Sequence, residues 1–200
     1  MRATDLKAMT EGLEGRATEL TARLSEAAAA SGLLDVGYGF VSSPLGDLLV
    51  AVTPRGVTLV SYPDHDPEEA LRWLSDRVSP RIMESAGRVE PVRRELDEYF
   101  EGRRHRFEVP VDLSAVRGFG RRVLEATARI GFGSVSTYRA VATEAGNPNA
   151  YRAAGNALGG NPVPIIVPCH RVVHVGGGLG GYTGGLERKR ALLRIEGVLD

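Results

Sequence analysis

Asn161-Pro-Val-Pro-Ile-Ile-Val-Pro-Cys-His-Arg-Val172 is the stretch on which the reading of this chain turns. Prolines at 162, 164 and 168 hem an apolar run, 165–167, that delivers the chain to Cys169. Each proline fixes its own φ and biases the residue before it toward extended backbone, so a braced strand end is expected, with the cysteine at a loop mouth. Cys169 is the single cysteine of the chain. A lone cysteine is usually a small buried hydrophobe. Here His170 and Arg171 follow directly, cations or dipoles that favour a thiolate, without which little of a thiol is ionised at neutral pH. Neighbours on a strand point to opposite faces, so sequence does not put the imidazole on the sulfur. On these residues alone, buried hydrophobe and nucleophile both stay open.

Outward from this stretch the pattern is helical. Upstream, residues 117–130, 137–145 and 148–158 read as helices, and Gly146-Asn147 joins the last two. That is helix-turn-helix spacing, although short helix pairs are common. Downstream lie a glycine-rich loop, 176–185, and a final amphipathic helix through Leu192, Leu193 and Ile195. From Tyr38 the apolar period is two. Strands are expected at 38–43, 47–53 and 56–62, punctuated by Pro44-Leu45-Gly46 and Pro54-Arg55-Gly56, turn chemistry that suits a meander. A helix follows over 67–78 with Pro67 in its first turn and Ala70, Leu71, Trp73, Leu74 and Val78 buried. A second is expected over 91–100, ending near Gly102, and an Arg-rich passage over 102–112 links the two parts. At the N-terminus, Leu6, Met9, Leu13, Leu20 and Leu24 place one apolar face on a helix over 4–30, which packs on the body or a partner or stays a weakly ordered extension, with Ser31-Gly32 as its stop. The fold class is therefore α/β. A small N-terminal sheet-and-helix domain (38–112) precedes a mostly helical C-terminal domain with a helix-turn-helix (113–200), and residues 1–37 form a helical extension.

At 200 residues the chain is one generous domain or two small ones. No window approaches the roughly 18 apolar residues of a membrane helix. Asp5 and Lys7 stand where a signal peptide has its apolar core. One cysteine excludes an internal disulfide framework and a multi-cysteine zinc site, and the four histidines show no metal-ligand spacing. A soluble, cytoplasmic protein without metal or cofactor is expected. The zero net charge hides an asymmetry: residues 113–200 carry 11 Lys+Arg against 5 Asp+Glu, whereas residues 38–112 carry 10 against 14. A basic C-terminal half suits a polyanion, and uneven surface charge explains it equally well.

The 161–172 stretch, with its Pro-Cys-His-Arg-Val core, closely resembles the active-site signature of the O6-alkylguanine-DNA alkyltransferases, the methylated-DNA–protein-cysteine methyltransferases. Ser134-Val-Ser-Thr-Tyr138 resembles the segment before their DNA-binding motif, and Gly146-Asn-Pro-Asn-Ala-Tyr-Arg152-Ala-Ala-Gly155-Asn resembles their recognition helix. Gly181-Tyr-Thr-Gly-Gly185 and Leu192-Leu-Arg-Ile-Glu-Gly197 resemble the loop and terminal helix beyond the cysteine. Ser43-Pro-Leu-Gly-Asp-Leu48 and Glu98-Tyr-Phe-Glu-Gly-Arg103 match the family's N-terminal domain more loosely, so the likeness runs from about Tyr38 to Leu199.

The resemblance implies a role at each matching position. Cys169 is the alkyl acceptor, His170 acts through a bridging water, and Glu196 orients the imidazole. Asn161 holds the backbone around the cysteine. Tyr138 donates its phenolic proton toward the purine. Arg152 enters the duplex in place of an extruded nucleotide, with Ala153 and Gly155 among the small residues that allow close approach. Val172, Tyr182, Thr183 and Gly184 line the pocket. The implied reaction is single-turnover repair of O6-alkylguanine, extending to O4-alkylthymine. The implied partner is double-stranded DNA bound through the minor groove by a monomer. Departures from the pattern are Leu124 where Trp is frequent, Gly131-Phe-Gly133 in place of Ile-Pro-x-Gly spacing, and Gly159 where some members carry Arg. Two rival functions remain: a lesion-binding module without chemistry, which has no need of the thiol, and a cysteine hydrolase, to which a helix-turn-helix gives no purpose.

Overall fold

The computed structural model describes Arg16, residues 19–21, 23–25 and 27–200. The described residues up to Ala30 are helical, and the chain turns at Ser31-Gly32, with Gly32 at φ +67° and Leu33 N–H donating to Ala28 O (2.8 Å). Leu6, Met9 and Leu13 lie outside the described residues. Leu20 and Leu24 are exposed, so this part of the expected apolar face does not pack on the body.

A four-stranded sheet follows, in the order β3-β2-β1-β4. β1 (Val36–Val41), β2 (Leu48–Thr53) and β3 (Gly56–Ser61) form the expected antiparallel meander, with β1 starting two residues earlier than its alternation suggested. β4 (Ile82–Glu84) pairs parallel with β1 and was not anticipated; three residues are too few to display a period. Both faces are covered. Leu49, Ala51 and Leu59 pack on Ala70 and Leu74 of α1 (Pro67–Arg77), while Leu48, Val50 and Val52 face Val89, Val92 and Leu96 of α2 (Ala86–Phe100). Strand alternation divides β2 between these two layers. Asp66 caps α1 by accepting from Glu68 N–H (3.0 Å), and Pro67 stands where a missing N–H costs nothing. Leu71, Trp73 and Val78, expected in the core, are only half-buried. α2 begins a turn before Pro91, which lies inside the helix instead of opening it; Val89 and Val92 on either side are buried against the sheet, and that packing outweighs the lost bond.

The C-terminal half contains α3 (Gly118–Thr127), α4 (Tyr138–Glu144), α5 (Tyr151–Gly159) and α6 (Leu186–Ile195). α5 starts three residues later than expected because Pro148 and Asn149 belong to the turn. Two short strands, β5 (Ser136–Thr137) and β6 (Val172–Val173), pair in parallel with Thr137 opposite Val173. This ladder ties the start of α4 to the backbone just after Cys169. The segment before the cysteine is a series of tight turns and not the expected strand: Val167 N–H reaches Val163 O (2.9 Å), and Cys169 N–H reaches Val167 O (2.8 Å). Ile165, fully buried, takes φ +73°, a conformation that costs a β-branched residue roughly 1–3 kcal/mol.

One apolar core runs through both halves, from Val50, Leu96 and Tyr99 to Val123, Leu124, Ile165 and Leu192. Leu124 is fully buried in it, so the smaller side chain is accommodated. The link over 102–112 is part of this construction. Val57 N–H donates to Pro110 O and Asp112 N–H to Val57 O, both at 2.8 Å, which seals the edge of β3. Gly56 makes this possible: it sits at φ +133° with the Pro110 carbonyl directly over its Cα. Gly56→Ala should therefore lower the unfolding free energy by roughly 2 kcal/mol or more, measured by denaturant titration. A variant as stable as the parent would show that the approach to Pro110 is not a requirement.

Candidate active site

Cys169 opens a single 3₁₀ turn, Cys169–Arg171, and is 6% exposed. Its neighbourhood is set by Asn161. That side chain accepts from Val163 N–H (3.0 Å) and donates through Nδ2 to Val167 O (2.9 Å) and to Cys169 Sγ (3.1 Å). One amide thus closes the turn-rich loop and holds the sulfur. Burial pushes the thiol up to about 11, against the Asn161 hydrogen bond and the nearby Lys189 charge. The resting group is a thiol; ionising it at neutral pH costs on the order of 5 kcal/mol.

Within the turn, His170 points away from solvent into a buried polar cluster. Its Nε2 lies 2.8 Å from Glu196 Oε1, and Glu196 also accepts from Arg171 Nε (2.9 Å), Arg171 Nη2 (2.8 Å) and the Tyr99 hydroxyl (2.7 Å). Arg171 Nη1 reaches Ile130 O (2.5 Å). Burial by itself raises a carboxyl, but the bonds from His170 and Arg171 prevail and hold Glu196 at about 2. Burial also lowers His170, more than Glu196 raises it, so the imidazole is neutral. With Glu196 ionised, the ring proton belongs on Nε2, and Nδ1 is a buried acceptor without a partner among the described residues.

Cys169 forms part of the wall of a cavity of about 870 Å³, within the usual range for ligand sites. The helix-turn-helix supplies one side through Tyr138, Arg152, Gly155 and Leu158, and the glycine-rich loop supplies Gly181, Tyr182 and Thr183. Tyr138 opens α4, where Thr137 Oγ1 caps the helix by accepting from Ala140 N–H (3.2 Å). Its ring packs against Gly155, and its hydroxyl lies so close to Gly180, at φ +71°, that a side chain there has no room. Half-burial raises the Tyr138 phenol above its ordinary value. Arg152 is exposed at the cavity rim and Ala153 is exposed beside it.

The structure therefore gathers Cys169, Tyr138, Arg152, Gly155, Tyr182 and Thr183 around one space, with Asn161 on the sulfur and His170 and Glu196 behind it. Val172 and Gly184 do not line this cavity. Val172 is fully buried with its carbonyl accepting from Lys189 Nζ (2.6 Å), and Gly184 is pressed against the Tyr62 ring. Sequence reasoning missed Tyr99 and Tyr62, which come from the sheet half; Tyr62 Oη lies 2.6 Å from Tyr182 Oη. It also missed Lys189, fully buried and lowered to about 8 by that burial, which also donates to Leu179 O and so fastens the loop. Its signal was present: Lys189 stands three and four residues before Leu192 and Leu193, on the apolar face of α6. Among the described residues no cluster of His, Cys, Asp and Glu is placed to hold a metal ion, and no helix is long and apolar enough to cross a membrane.

Comparison with known proteins gives a consistent result. Two family models match: the 6-O-methylguanine DNA methyltransferase ribonuclease-like domain over residues 36–113 and the 6-O-methylguanine DNA methyltransferase DNA binding domain over residues 118–198. The inducible methylated-DNA–protein-cysteine methyltransferase of Bacillus subtilis is 37% identical over 74% of this chain and 82% of its own length. The methylated-DNA–protein-cysteine methyltransferase of Sulfolobus acidocaldarius is 38% identical over 80% of this chain and 93% of its own. The crystal structure of Mycobacterium tuberculosis OGT in complex with DNA matches with a TM-score of 0.68 at 35% identity, covering 80% of this chain and 92% of that one.

The buried cluster has a pH signature. Glu196 is held below its unfolded value of 4.5, so its contribution to stability is complete above about pH 4.5 and is lost as the pH falls toward 2. His170, held below 6.5, adds a decline that begins below about pH 6.5, because the unfolded chain takes up the proton first. Glu196→Gln should flatten the steep acid limb and cost about 3 kcal/mol at neutral pH by leaving the Arg171 charge uncompensated. Denaturant titrations from pH 2.5 to 8 on both proteins check this; an unchanged acid limb would remove Glu196 as its source.

Proposed function

The chain belongs to the methylated-DNA–protein-cysteine methyltransferase family, whose members repair DNA by moving an alkyl group onto a cysteine, and we propose that here the acceptor is Cys169 and the donor O6-alkylguanine in duplex DNA. The observation that carries this reading is the placement of the chain's one cysteine in the wall of the cavity, with its sulfur held by Asn161.

The proposed course follows from the geometry. A substituent on O6 of a stacked guanine is out of reach, so the nucleotide leaves the helix and enters the cavity, and Arg152 fills the space it vacates. Ala150, just before α5, and Ala153, Ala154 and Gly155, which follow Arg152, are small, which suits close approach through the minor groove. The thiol proton passes, through a bridging water, to the free Nδ1 of His170, whose other nitrogen is fixed by Glu196. Sulfur then attacks the alkyl carbon: the S–C bond forms, the C–O6 bond breaks, and its electron pair stays on the purine. Tyr138 lends its phenolic proton to that developing charge and takes one back from water, while His170 gives up the thiol proton to water, so that in sum one proton passes from sulfur to the purine. O4-alkylthymine presents the same bond and fits the same course. The product thioether has no ready route to hydrolysis, and the chain has no second cysteine to resolve it, so each molecule acts once.

DNA is the partner, and the excess of basic residues in the C-terminal half supports its binding there. Every residue of the site comes from one chain, so a monomer suffices. The single, unpaired cysteine supports work in a reducing cytoplasm. All proposed site residues lie beyond Tyr38, so residues 1–37 are not needed for the chemistry.

Incubation with an O6-methylguanine duplex should raise the intact mass by about 14 Da, one methyl in place of a proton, with peptide mapping to Cys169. Cys169→Ser should bind the duplex and gain nothing. Repeated turnover, or a methyl found elsewhere, would refute the reading. A second measurement isolates extrusion. Arg152→Ala should slow transfer from duplex at saturating DNA by about tenfold or more while leaving the free base O6-benzylguanine nearly unaffected, because only the duplex has to be opened. Equal losses on both substrates would assign Arg152 to the fold.

A further inference from the structure

Two groups at the cavity rim have no part in the transfer just described. Arg139 is the second residue of α4 and Tyr151 the first of α5, and the helix-turn-helix brings these two helix starts together. Arg139 Cζ lies 5.7 Å from the centroid of the Tyr151 ring, and Arg152 Cζ lies 5.6 Å from the same centroid. All three residues line the cavity, and Tyr151 is 38% exposed. Some arginines of this half have carboxylate partners, Arg121 with Glu125 and Arg129 with Glu144. Among the described residues Arg139 and Arg152 have none. Two like charges are gathered on one aromatic ring, whose face attracts cations, at the place where a polyanionic backbone has to pass.

We propose that Tyr151 is a positioning residue for the DNA step: its ring holds Arg152 ready to enter the duplex and Arg139 ready to take the phosphate beside the extruded nucleotide. This rests on the repair reading above and adds to it a clasp of three side chains. A free arginine has a large rotamer freedom that is surrendered when it inserts or pairs. Contact with the ring restricts that freedom before DNA arrives, so less is lost on binding. The ring suffices for this; the phenolic oxygen is not required.

The test compares Tyr151→Leu, Tyr151→Phe, Arg152→Ala, Arg139→Gln and the double variant Tyr151→Leu/Arg152→Ala. Single-turnover rates are read on an O6-methylguanine duplex and on free O6-benzylguanine, and affinity for an undamaged duplex is read by anisotropy across a salt series. Tyr151→Leu should slow duplex transfer and weaken duplex affinity by about tenfold each while leaving the free base unaffected. Tyr151→Phe should restore both. The double variant should lose less than the product of the two single losses, since the ring acts partly through Arg152. Arg139→Gln should lower the salt slope of affinity by about one unit. The clasp is overturned if Tyr151→Leu matches the parent on duplex, if it loses as much on the free base, if Phe fails to rescue, or if the losses multiply. Should the parent protein transfer no alkyl group at all, the repair reading falls, and the affinity and salt-slope arms still decide for or against the clasp.

Discussion

A single buried carboxylate organises this protein. Glu196, at the end of α6, gathers His170 and Arg171 from the turn after Cys169 and Tyr99 from the helix under the sheet. Taking a charge out of water costs several kcal/mol unless it is paired and fully hydrogen-bonded. Arg171 supplies the opposite charge and Tyr99 and His170 supply the remaining donors. The pairing has a chemical consequence. Glutamate and arginine already sum to zero, so a proton on His170 would leave a net positive charge in the interior, and the ring stays neutral with one nitrogen able to accept.

The sulfur is subject to two opposing demands. Burial makes it a poor thiolate, yet burial beside Asn161 and the strained Ile165 is what fixes its position in the cavity wall. Position wins in the resting protein, because reactivity can be restored by a neighbouring base at the moment of need whereas a wandering nucleophile cannot be recovered. Lys189 serves the same end from below. Its ammonium group binds the Val172 carbonyl and another in the glycine-rich loop, and this keeps a segment rich in conformational freedom near one arrangement.

Much of this was legible in the sequence, for a physical reason. Residues 161–172 are constrained one by one: prolines by backbone shape, Asn161 by three contacts that only an amide makes at once, Cys169 and His170 by chemistry. β1 to β3 were located by their apolar residues and the Pro-x-Gly turns between them; with both faces of the sheet covered, β2 and β3 are buried nearly throughout and not at alternate positions. Legibility failed where a few residues obey a distant partner. β5 and β6 have two residues each and exist only because Thr137 and Val173 meet across the fold. β4 is there because β1 offers an edge. Pro91 was read by its local rule, as a helix start, when the packing of Val89 and Val92 on the sheet carries the helix past it. Tyr99 lies 97 positions from the carboxylate it serves, and no local pattern announces such a pairing.

Two family models describe this chain, and the eye divides it in the same place, but the forces do not. Tyr62 of the sheet half meets Tyr182 of the active-site loop, Val60 N–H donates to Pro162 O (2.8 Å), Tyr99 completes the carboxylate cluster, and the apolar core crosses the divide without a gap. A modular protein melts in stages, each module absorbing its own heat. A chain whose halves finish one another's interior has no such stages, and calorimetric and van't Hoff enthalpies should agree across a single transition. Seen as heat, the two modules of the lineage are one body.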